Sequence, residues 1–458
     1  MRLRLPAAMA ALFLSCLAGL APAQDAGQPA PARLAAEIAA RTPMMDNLEE
    51  LCDGIGPRLT GSSRLRTAQA WAAAKLTQYG ATNVHLEAYD LGRPWRRGRA
   101  QARLLNASGV ALEVVQKAWT DGTHGVVRAD VAVLDAATLD QFKAALPALK
   151  GKLVLVVASP VASPAQQQDI ARFRAEVDQA IETAQLAGVL LVSNKEGSLR
   201  EMWGGPASRF RRSAAIVTRE HANMLRRLLA RGVVPRVALE LDGGFTKSPA
   251  TAANVVADFA GTEANGEMVI VGAHIDSWDL GSGATDNGSG AVVAMEVLRA
   301  MHAAGLRPKR TLRIILFSGE EQGLLGSKAY VAAHRLDLPS IQAVLVQDTG
   351  AGRITGFTDM KVEAWYAALS KAVVPAQAFG PLDIAYAVGK GSDHDPFFEA
   401  GVPAFAPIQD LRDYRSHTQH TQSDTIDHID KGNLVQAAQV MAITAWELLN
   451  APRLPHLP

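Results

Sequence analysis

The hydrophobic positions of the chain change their spacing several times, and these changes predict its first elements. In RTAQAWAAAKLTQYG (66–80) apolar residues recur with helical spacing up to a closing glycine, which predicts a helix. The next segment, ATNVHLEAYDL (81–91), alternates apolar and polar residues and predicts a strand.

From Asn254 onward the pattern becomes a regular alternation of strands and helices. The predicted strands are EMVIVGAHID, TLRIILFSGEE and IQAVLVQD, and the predicted helices between them are GAVVAMEVLRAMHAAG and GLLGSKAYVAAHR. Strands that are apolar almost throughout are typical of a parallel sheet that helices cover on both faces. We therefore predict an α/β fold with a mainly parallel sheet.

A second α/β pattern interrupts this domain. Its predicted strands are ADVAVLD, GKLVLVVAS, AGVLLVSN and RVALELDGG, and the block contains no convincing cluster of acids and histidines. We predict an inserted smaller α/β domain over 118–246, which divides the main domain into 24–117 and 247–451. Residues 452–458 are predicted to form a C-terminal tail.

The first residues have the pattern of a secretory signal peptide. MRLRLPAAMAALFLSCLAGLAPAQ has two arginines, an apolar stretch and the small-residue cleavage pattern Ala21-Pro22-Ala23, which predicts a signal peptide over 1–23. No later segment has the roughly 18 uncharged apolar residues of a membrane span. We expect a secreted or periplasmic protein without a membrane span, in which Cys52 has no cysteine partner for a disulfide.

The overall charge argues against a nucleic-acid partner. The chain has 46 basic and 45 acidic residues and a formal net charge of +1. No general electrostatic field therefore attracts a polyanion.

Polar residues that carry chemistry follow the predicted strands of the main domain. In a parallel sheet, ligands bind where the carboxyl ends of the strands meet. These residues are His274, Asp276 and Asp286 after the first strand, Glu320 and Glu321 after the second, Asp348 after the third, and His417, His420 and Asp424 in YRSHTQHTQSDT.

Such a cluster of acids and imidazoles predicts a metal centre, because converging acids repel one another unless a cation lies between them. Nitrogen and carboxylate ligands together suit zinc. Two histidines and three carboxylates can serve two ions that share one carboxylate, and a pair of ions can polarise a carbonyl and lower the pKa of water. A further carboxylate is then needed as general base, and the adjacent Glu320 and Glu321 allow one to ligate while the other faces the water.

Five motifs together resemble a known family. LCDGIGPRLTGS, HIDSWDLGSGATDNGSG, FSGEEQGLLGS, QDTG and HTQSDT are similar to those of the co-catalytic zinc exopeptidases of peptidase family twenty-eight, and within it the carboxypeptidase Q branch. The resemblance covers nearly the whole mature chain. It implies a phosphorylase/hydrolase-like zinc-peptidase domain and identifies the inserted block as a protease-associated domain without catalytic residues.

The resemblance also implies a ligand set for two zinc ions per chain. The ligands would be His274 and Asp348 for one ion, Glu321 and His420 for the other, and Asp286 as the bridge between them.

The remaining implied roles concern residues beside these ligands. Glu320 would be the general base, and Asp276 would orient the first histidine. His420 is favoured over His417 because it lies four residues before Asp424, although both histidines are candidates. In related enzymes the bridging aspartate precedes a cis peptide, so the Asp286–Asn287 bond is a candidate for one.

Other residues have two equally open interpretations. GSDHDPFFEAGVP resembles the family's substrate loop, so Ser392, Asp393 and His394 either contact substrate or form a turn and helix cap. Tyr386 and Trp278 either line the specificity pocket or pack as ordinary aromatic residues.

These features together predict an exopeptidase that acts on peptides or dipeptides, with aminopeptidase or dipeptidase activity favoured. Carboxypeptidase or amino-acid deacylase activity on the same site is the main alternative. A non-catalytic binding scaffold and a one-metal acyltransferase are less favoured, because every position of the two-metal set is occupied. Because relatives in this branch form dimers, a homodimer is also possible.

Overall fold

The computed structural model describes residues 27–163, 166, 169–208 and 210–458. The predicted signal peptide, 1–23, lies outside the described residues. Within the described ranges, no helix combines the length and the apolar character that a membrane crossing needs.

The described elements alternate along the chain. The strands are β1 Thr82–Gly92, β2 Trp95–Arg96, β3 Ala100–Leu104, β4 Ala111–Leu112, β5 Val114–Gln116, β6 Val127–Asp135, β7 Leu153–Ala158, β8 Gly188–Val192, β9 Ala214–Val217, β10 Arg236–Leu241, β11 Gly244–Phe245, β12 Ala250–Phe259, β13 Met268–His274, β14 Thr311–Phe317, β15 Ile341–Val346, β16 Ile354–Thr358, β17 Asp383–Ala385, β18 Ala404–Phe405 and β19 Pro407–Gln409. The α-helices are α1 Ala30–Arg41, α2 Met44–Glu49, α3 Ser63–Gln78, α4 Leu139–Ala145, α5 Ile170–Thr183, α6 Arg219–Ala230, α7 Ser289–Ala303, α8 Leu325–Ala333, α9 Glu363–Ala372, α10 Asp395–Glu399 and α11 Lys431–Asn450.

The main sheet has the strand order β1-β12-β14-β13-β15-β18. Strands β14, β13, β15 and β18 are parallel neighbours, whereas β12 is antiparallel to both β1 and β14. In this register His274 lies opposite Phe317, and Gly272 lies opposite Val346. Because the central strands end at the same level, the residues that follow them reach one edge of the sheet. The predicted mainly parallel α/β fold is confirmed.

Helices cover both faces of this sheet, as its apolar strands predicted. Val271 and Leu345 pack in a core with residues of α1, α2, α3, α7 and α11. Their neighbours Ile270 and Val344 point to the opposite face and pack with residues of α8 and with Phe397 of α10. Burial of successive residues on opposite faces explains why these strands lack polar alternation.

The second sheet has the order β4-β3-β10-β6-β7-β8-β9-β5, and β6 to β9 are parallel neighbours. The predicted boundary at residue 118 falls inside this sheet, because β3, β4 and β5 precede it. Strand β3 joins by pairing antiparallel with β10. A pairing between segments so far apart in the chain has no signature in the local hydrophobic pattern.

Shortening a core side chain of the main sheet should destabilise the protein strongly. Leu345 in β15 is fully buried, whereas Leu336 is 85% exposed. We expect Leu345→Ala to lower the free energy of unfolding by about 2–5 kcal/mol, because it leaves a cavity. The same change at Leu336 should alter it by less than about 0.5 kcal/mol. Denaturant titrations of both variants measure the difference, and equal effects would contradict the described packing.

Candidate metal centre

The polar residues that follow β13, β14 and β15 meet at the carboxyl edge of the main sheet. The His274 Nε2 lies 3.1 Å from Oδ1 of Asp348 and 4.0 Å from Oε2 of Glu320. The His274 side chain is fully buried, and the two carboxylates are nearly so. The three strand ends therefore bring one imidazole and two acids into contact.

Asp286 lies between two histidines. Its Oδ1 is 3.3 Å from the Nε2 of His274, and its Oδ2 is 3.4 Å from the Nε2 of His420. On the far side, the His420 Nε2 lies 3.0 Å from Oε2 of Glu321. The site thus divides into two histidine–acid pairs, His274 with Asp348 and His420 with Glu321, with Asp286 touching both.

Distance alone does not separate the two glutamates. One set of ligand atoms within 4.8 Å of one another comes from His274, Glu320 and Asp348, and another comes from His274, Asp286 and Glu321. Each glutamate thus belongs to one set that includes His274, so the assignment of one as ligand and the other as base rests on chemistry rather than on distance.

The hydrogen bonding of His274 determines which ring nitrogen faces the acids. Its Nδ1 lies 3.0 Å from the main-chain oxygen of Asp276, a contact in which Nδ1–H must be the donor. The neutral ring then has a lone pair on Nε2, which faces the carboxylates of Asp286, Glu320 and Asp348. Acceptor groups facing acceptor groups are repulsive unless a proton or a cation lies between them.

Asp276 contributes to this arrangement mainly through its backbone. Its carboxylate oxygen Oδ1 is 3.6 Å from the His274 Nδ1, farther than the main-chain oxygen. The carboxylate instead accepts hydrogen bonds from Oγ1 of Thr60 at 2.9 Å and from the main-chain N–H of Glu320 at 3.4 Å. Asp276 therefore links the His274 strand end to the Glu320 turn.

The electrostatics of the site show the same shortage of positive charge. Burial and the charge of Asp348 raise the pKa of Glu320 well above its usual range. Burial and the neighbouring Asp286 raise the pKa of Glu321 to about 7. Burial would lower the pKa of His420, but the carboxylates of Glu321, Asp286 and Glu201 together outweigh burial and raise that pKa to about 9. The raised pKa values of the two glutamates favour their protonated forms, and a divalent cation can take the place of those protons.

Two buried oxygen atoms support a cation-binding interpretation directly. Asp286 Oδ2 and Glu321 Oε1 have no hydrogen-bond partner among the described residues, although both are shielded from solvent. Both residues line the same cleft. Buried carboxylate oxygens without donors are costly, and a set of imidazole nitrogens and carboxylates fits a zinc-type ion.

The turn that carries Asp286 is shaped by its neighbours. The Asp286–Asn287 peptide is cis, as the resemblance implied. The Asn287 side-chain amide donates to the main-chain oxygen of Gln347 at 2.7 Å, which ties this turn to the end of β15. A Cβ atom at Gly290 would lie 2.6 Å from that same oxygen. Glycine is therefore needed here for α7 to approach the strand end.

Asp424 holds the Asp286 turn from the other side. Its carboxylate accepts hydrogen bonds from the N–H and Oγ1 of Thr285, at 2.7 and 2.8 Å, and from the N–H of Asp286 at 3.2 Å. Burial and the charge of Asp286 raise the pKa of Asp424 to about 7. In the sequence, Asp424 was notable only as part of a motif. The structure shows that Asp424 supports Asp286, the residue that touches both histidine–acid pairs.

Arg58 explains why the LCDGIGPRLTGS motif belongs to the site. Its buried guanidinium donates to the main-chain oxygens of Ile275, Ser282 and Gly283, each at 2.7 Å. It thereby connects the end of β13 to the loop before Asp286. Sequence reasoning missed this role, and the only signal for it was an arginine inside an otherwise apolar and glycine-containing motif.

The predicted substrate loop is only partly at the site. Ser392 and His394 line the cleft, and Ser392 Oγ and His394 Nδ1 are buried without hydrogen-bond partners among the described residues. Asp393 is fully buried and accepts a 2.5 Å hydrogen bond from Ser327. Tyr386 is 67% exposed and is not among the residues that line the cleft, so its contact with substrate stays a prediction. It follows the short strand β17 at the point where the chain turns to solvent.

Two further predicted residues, His417 and Trp278, lie in different surroundings. His417 lies exposed with its Nδ1 2.8 Å from Ser416, whereas His420 reaches the acids. Trp278 is 4% exposed and packs edge-on to the His420 ring, with centroids 6.1 Å apart.

Cys52 is buried, and burial raises the pKa of its thiol to about 11, which excludes a reactive thiolate at neutral pH.

A cleft of about 610 Å³ leads to the acids. Its wall is part apolar, through residues such as Ile408 and Leu411, and part basic, through Lys390 and Arg415. It is large enough for a few amino-acid residues and small compared with an extended polypeptide.

This arrangement agrees with the comparisons with known proteins. Residues 254–445 match Peptidase family M28. Carboxypeptidase Q of Mus musculus is 30% identical over 380 residues, which span 80% of this chain and 77% of that protein. The chain belongs to peptidase family M28. As an M28 protein it is a metallopeptidase, and the family expected from the sequence motifs is confirmed.

Solved structures show the same fold. A peptidase M28 precursor from Shewanella amazonensis SB2B has a TM-score of 0.81 and 27% sequence identity, and the match covers 93% of this chain and 98% of that chain. BSAP, a zinc aminopeptidase from Bacillus subtilis, has a TM-score of 0.67 and 22% identity, with coverage of 88% and 94%. At this identity the likeness to BSAP shows a shared fold.

Removing the Asp424 carboxylate should destabilise the site. In Asp424→Ala the buried N–H groups of Thr285 and Asp286 lose their acceptor, which should lower the free energy of unfolding by about 1–3 kcal/mol. Asp427→Ala is the matched control, because Asp427 is exposed in the same loop, and its effect should stay below about 0.5 kcal/mol. Thermal and denaturant unfolding of the two variants provide the measurement. If the two variants were equally stable, Asp424 would not be the support of this turn.

Proposed function

We propose that this M28 peptidase is an exopeptidase that binds two zinc ions per chain and hydrolyses peptide bonds at the ends of small peptides or in dipeptides. The observation that carries the proposal is the position of Asp286, whose two oxygens face two different histidines. With the signal-peptide pattern at the N-terminus, we place this activity outside the cytoplasm, in a secreted or periplasmic protein.

The proposed ligands follow from the contacts of the site. His274 and Asp348 would hold one ion, Glu321 and His420 the other, and Asp286 would bridge them. The two unpartnered oxygens of Asp286 and Glu321 support this set, because coordination would satisfy them. Zinc fits the imidazole and carboxylate donors better than the oxygen-preferring Mg²⁺ or Ca²⁺ would.

When bound, the ions would polarise the scissile carbonyl and make water easier to deprotonate. Glu320 is the proposed general base, which takes the proton from the attacking water and delivers it to the leaving amine. Burial and Asp348 already raise the pKa of its carboxyl, and its main-chain N–H is held by Asp276. Asp276 is thus a positioning residue, for Glu320 through this bond and for His274 through its main-chain oxygen.

The cleft supports small substrates with a free end. Ser392 and His394 line the cleft, and the basic residues Lys390 and Arg415 can attract a carboxylate. Aminopeptidase or dipeptidase activity is the favoured direction. Carboxypeptidase or deacylase activity is the alternative. The two basic residues of the cleft favour this alternative for substrates that are recognised by a free carboxylate. We also propose that the inserted sheet is the protease-associated domain of this family.

Metal content and substrate range test the proposal together. We expect about two zinc ions per chain by mass spectrometry of the purified protein, because each histidine–acid pair holds one. Hydrolysis of a panel of dipeptides, their C-terminal amides and aminoacyl anilides should be lost with a chelator and restored by zinc. Cleavage of dipeptides but not of their amides would assign the carboxylate-dependent direction. One ion or none, with no turnover after zinc is added, would refute the proposed function.

The general base can be tested without disturbing the ions. Glu320→Gln keeps the size of the side chain and removes its ability to accept a proton, so turnover should fall by about 10²–10⁴-fold. Zinc content should stay at the wild-type value. Glu399→Gln, at an exposed position, is the matched control and should keep wild-type turnover. Full activity in Glu320→Gln would remove this residue from the mechanism.

A further inference from the structure

A segment of the inserted sheet reaches into the loop that carries His420. This positioning segment, residues 195–205, lies within the connection from β8 to β9. The N–H of Met202 donates to the main-chain oxygen of His420 at 2.9 Å, and Glu201 pairs antiparallel with Thr421. The N–H of Arg200 donates to the side-chain oxygen of Gln422 at 2.9 Å. The loop that carries His420 therefore pairs through its backbone with a chain segment of the inserted sheet.

A buried lysine of the same segment holds the beginning of this loop. The Lys195 Nζ donates to the main-chain oxygen of Arg415 at 2.5 Å, and the residue is only 8% exposed. Its partner within the segment is Glu201, whose carboxylate lies 3.9 Å away. Both ends of the loop around His420 are thus attached to the inserted sheet.

The segment also touches the turn that carries Glu321. A Cβ atom added to Gly205 would lie 2.8 Å from the main-chain oxygen of Gln322, the residue next to Glu321. The glycine is needed because the two backbones approach so closely. One short segment therefore contacts both loops of the His420–Glu321 pair.

Apolar packing secures the contact. Met202 is fully buried in a cluster with Leu59, Trp119, Ile216 and Trp278. This cluster combines residues of the main domain and of the inserted sheet. Since Trp278 packs against the His420 ring, the cluster reaches the imidazole itself.

His420 needs such support more than His274 does. Its φ angle is +61°, in the left-handed region that side chains with a Cβ rarely adopt. Such a conformation persists only where the surroundings enforce it. His274, in contrast, ends the regular strand β13 and has its ring held by the main-chain oxygen of Asp276.

We propose that residues 195–205 are a positioning segment that sets the metal affinity of the His420–Glu321 pair and leaves the His274–Asp348 pair to the main sheet. This inference rests on the proposed two-ion function. It assigns the inserted sheet a structural part in the metal centre, and it predicts that the two ions differ in their dependence on that sheet.

The test uses the full-length protein with zinc binding as its readout. Lys195→Met keeps the aliphatic stem and removes the hydrogen bond to Arg415, and Gly205→Ala pushes the segment away from Gln322. Lys152→Met is the matched control, since Lys152 directly precedes β7 of the inserted sheet and pairs with Asp130 at 3.0 Å on the surface. Each protein is titrated with buffered zinc and its metal content is measured by mass spectrometry. We expect the second ion to bind at least about tenfold more weakly in the two test variants, with the first ion within about twofold of wild type.

The direction of the effect separates positioning from charge. Removing the positive charge of Lys195 near the acids would by Coulomb's law alone strengthen cation binding. Weaker binding of the second ion in Lys195→Met therefore reports the loss of positioning.

Unchanged affinities, tighter binding, or equal weakening of both ions would overturn the inference. If Gly205→Ala does not fold, Gln422→Ala replaces it, because that change removes the acceptor of Arg200 from the loop side. A wild-type protein that binds fewer than two ions would instead refute the proposed function, so the two failures are distinguishable.

Discussion

The mutual repulsion of buried carboxylates at one sheet edge is the constraint on which the other features of the site depend. Asp286, Glu320 and Asp348 converge on the same imidazole nitrogen of His274, in surroundings that exclude most water. An arrangement of this kind persists only if the backbone is held firmly and positive charge is supplied. The surrounding hydrogen bonds provide the first condition, and the donor set is suited to a metal that provides the second.

The supporting contacts come from distant parts of the chain. Arg58 binds three main-chain oxygens near the end of β13, and Asp424 binds the turn of Asp286. Neither residue belongs to the strands that carry the acids. This explains why motifs near both ends of the chain accompany the central one: they supply the groups that hold the strand ends in place.

The inserted sheet makes both packing and backbone contacts with this network of supporting residues. Its residues pack with Trp278 and pair with the chain around His420, so the interface between the two sheets lies beside the acids. The residues that line the cleft belong to the main domain, and one of them, His420, lies in a loop that pairs with the inserted sheet. Changes in the inserted sheet can therefore alter the site without changing any residue that faces the substrate.

The sequence by itself determined the fold class, the order of the strands along the chain and the acids and histidines that follow them. These features are local: the hydrophobic period shows which residues face a core, and parallel strands must end at a common edge. Its motifs were also sufficient to identify the M28 family.

Only the tertiary structure decided which of these residues meet. It placed His420 in the site and His417 at the surface, left Tyr386 exposed to solvent, and showed that Asp276 acts on His274 chiefly through its main-chain oxygen. It also placed β3 in the second sheet and Asp424 behind Asp286. These outcomes depend on strand register and on contacts between segments that are far apart in the chain. A local pattern encodes which way a side chain faces, but not which distant group it meets there.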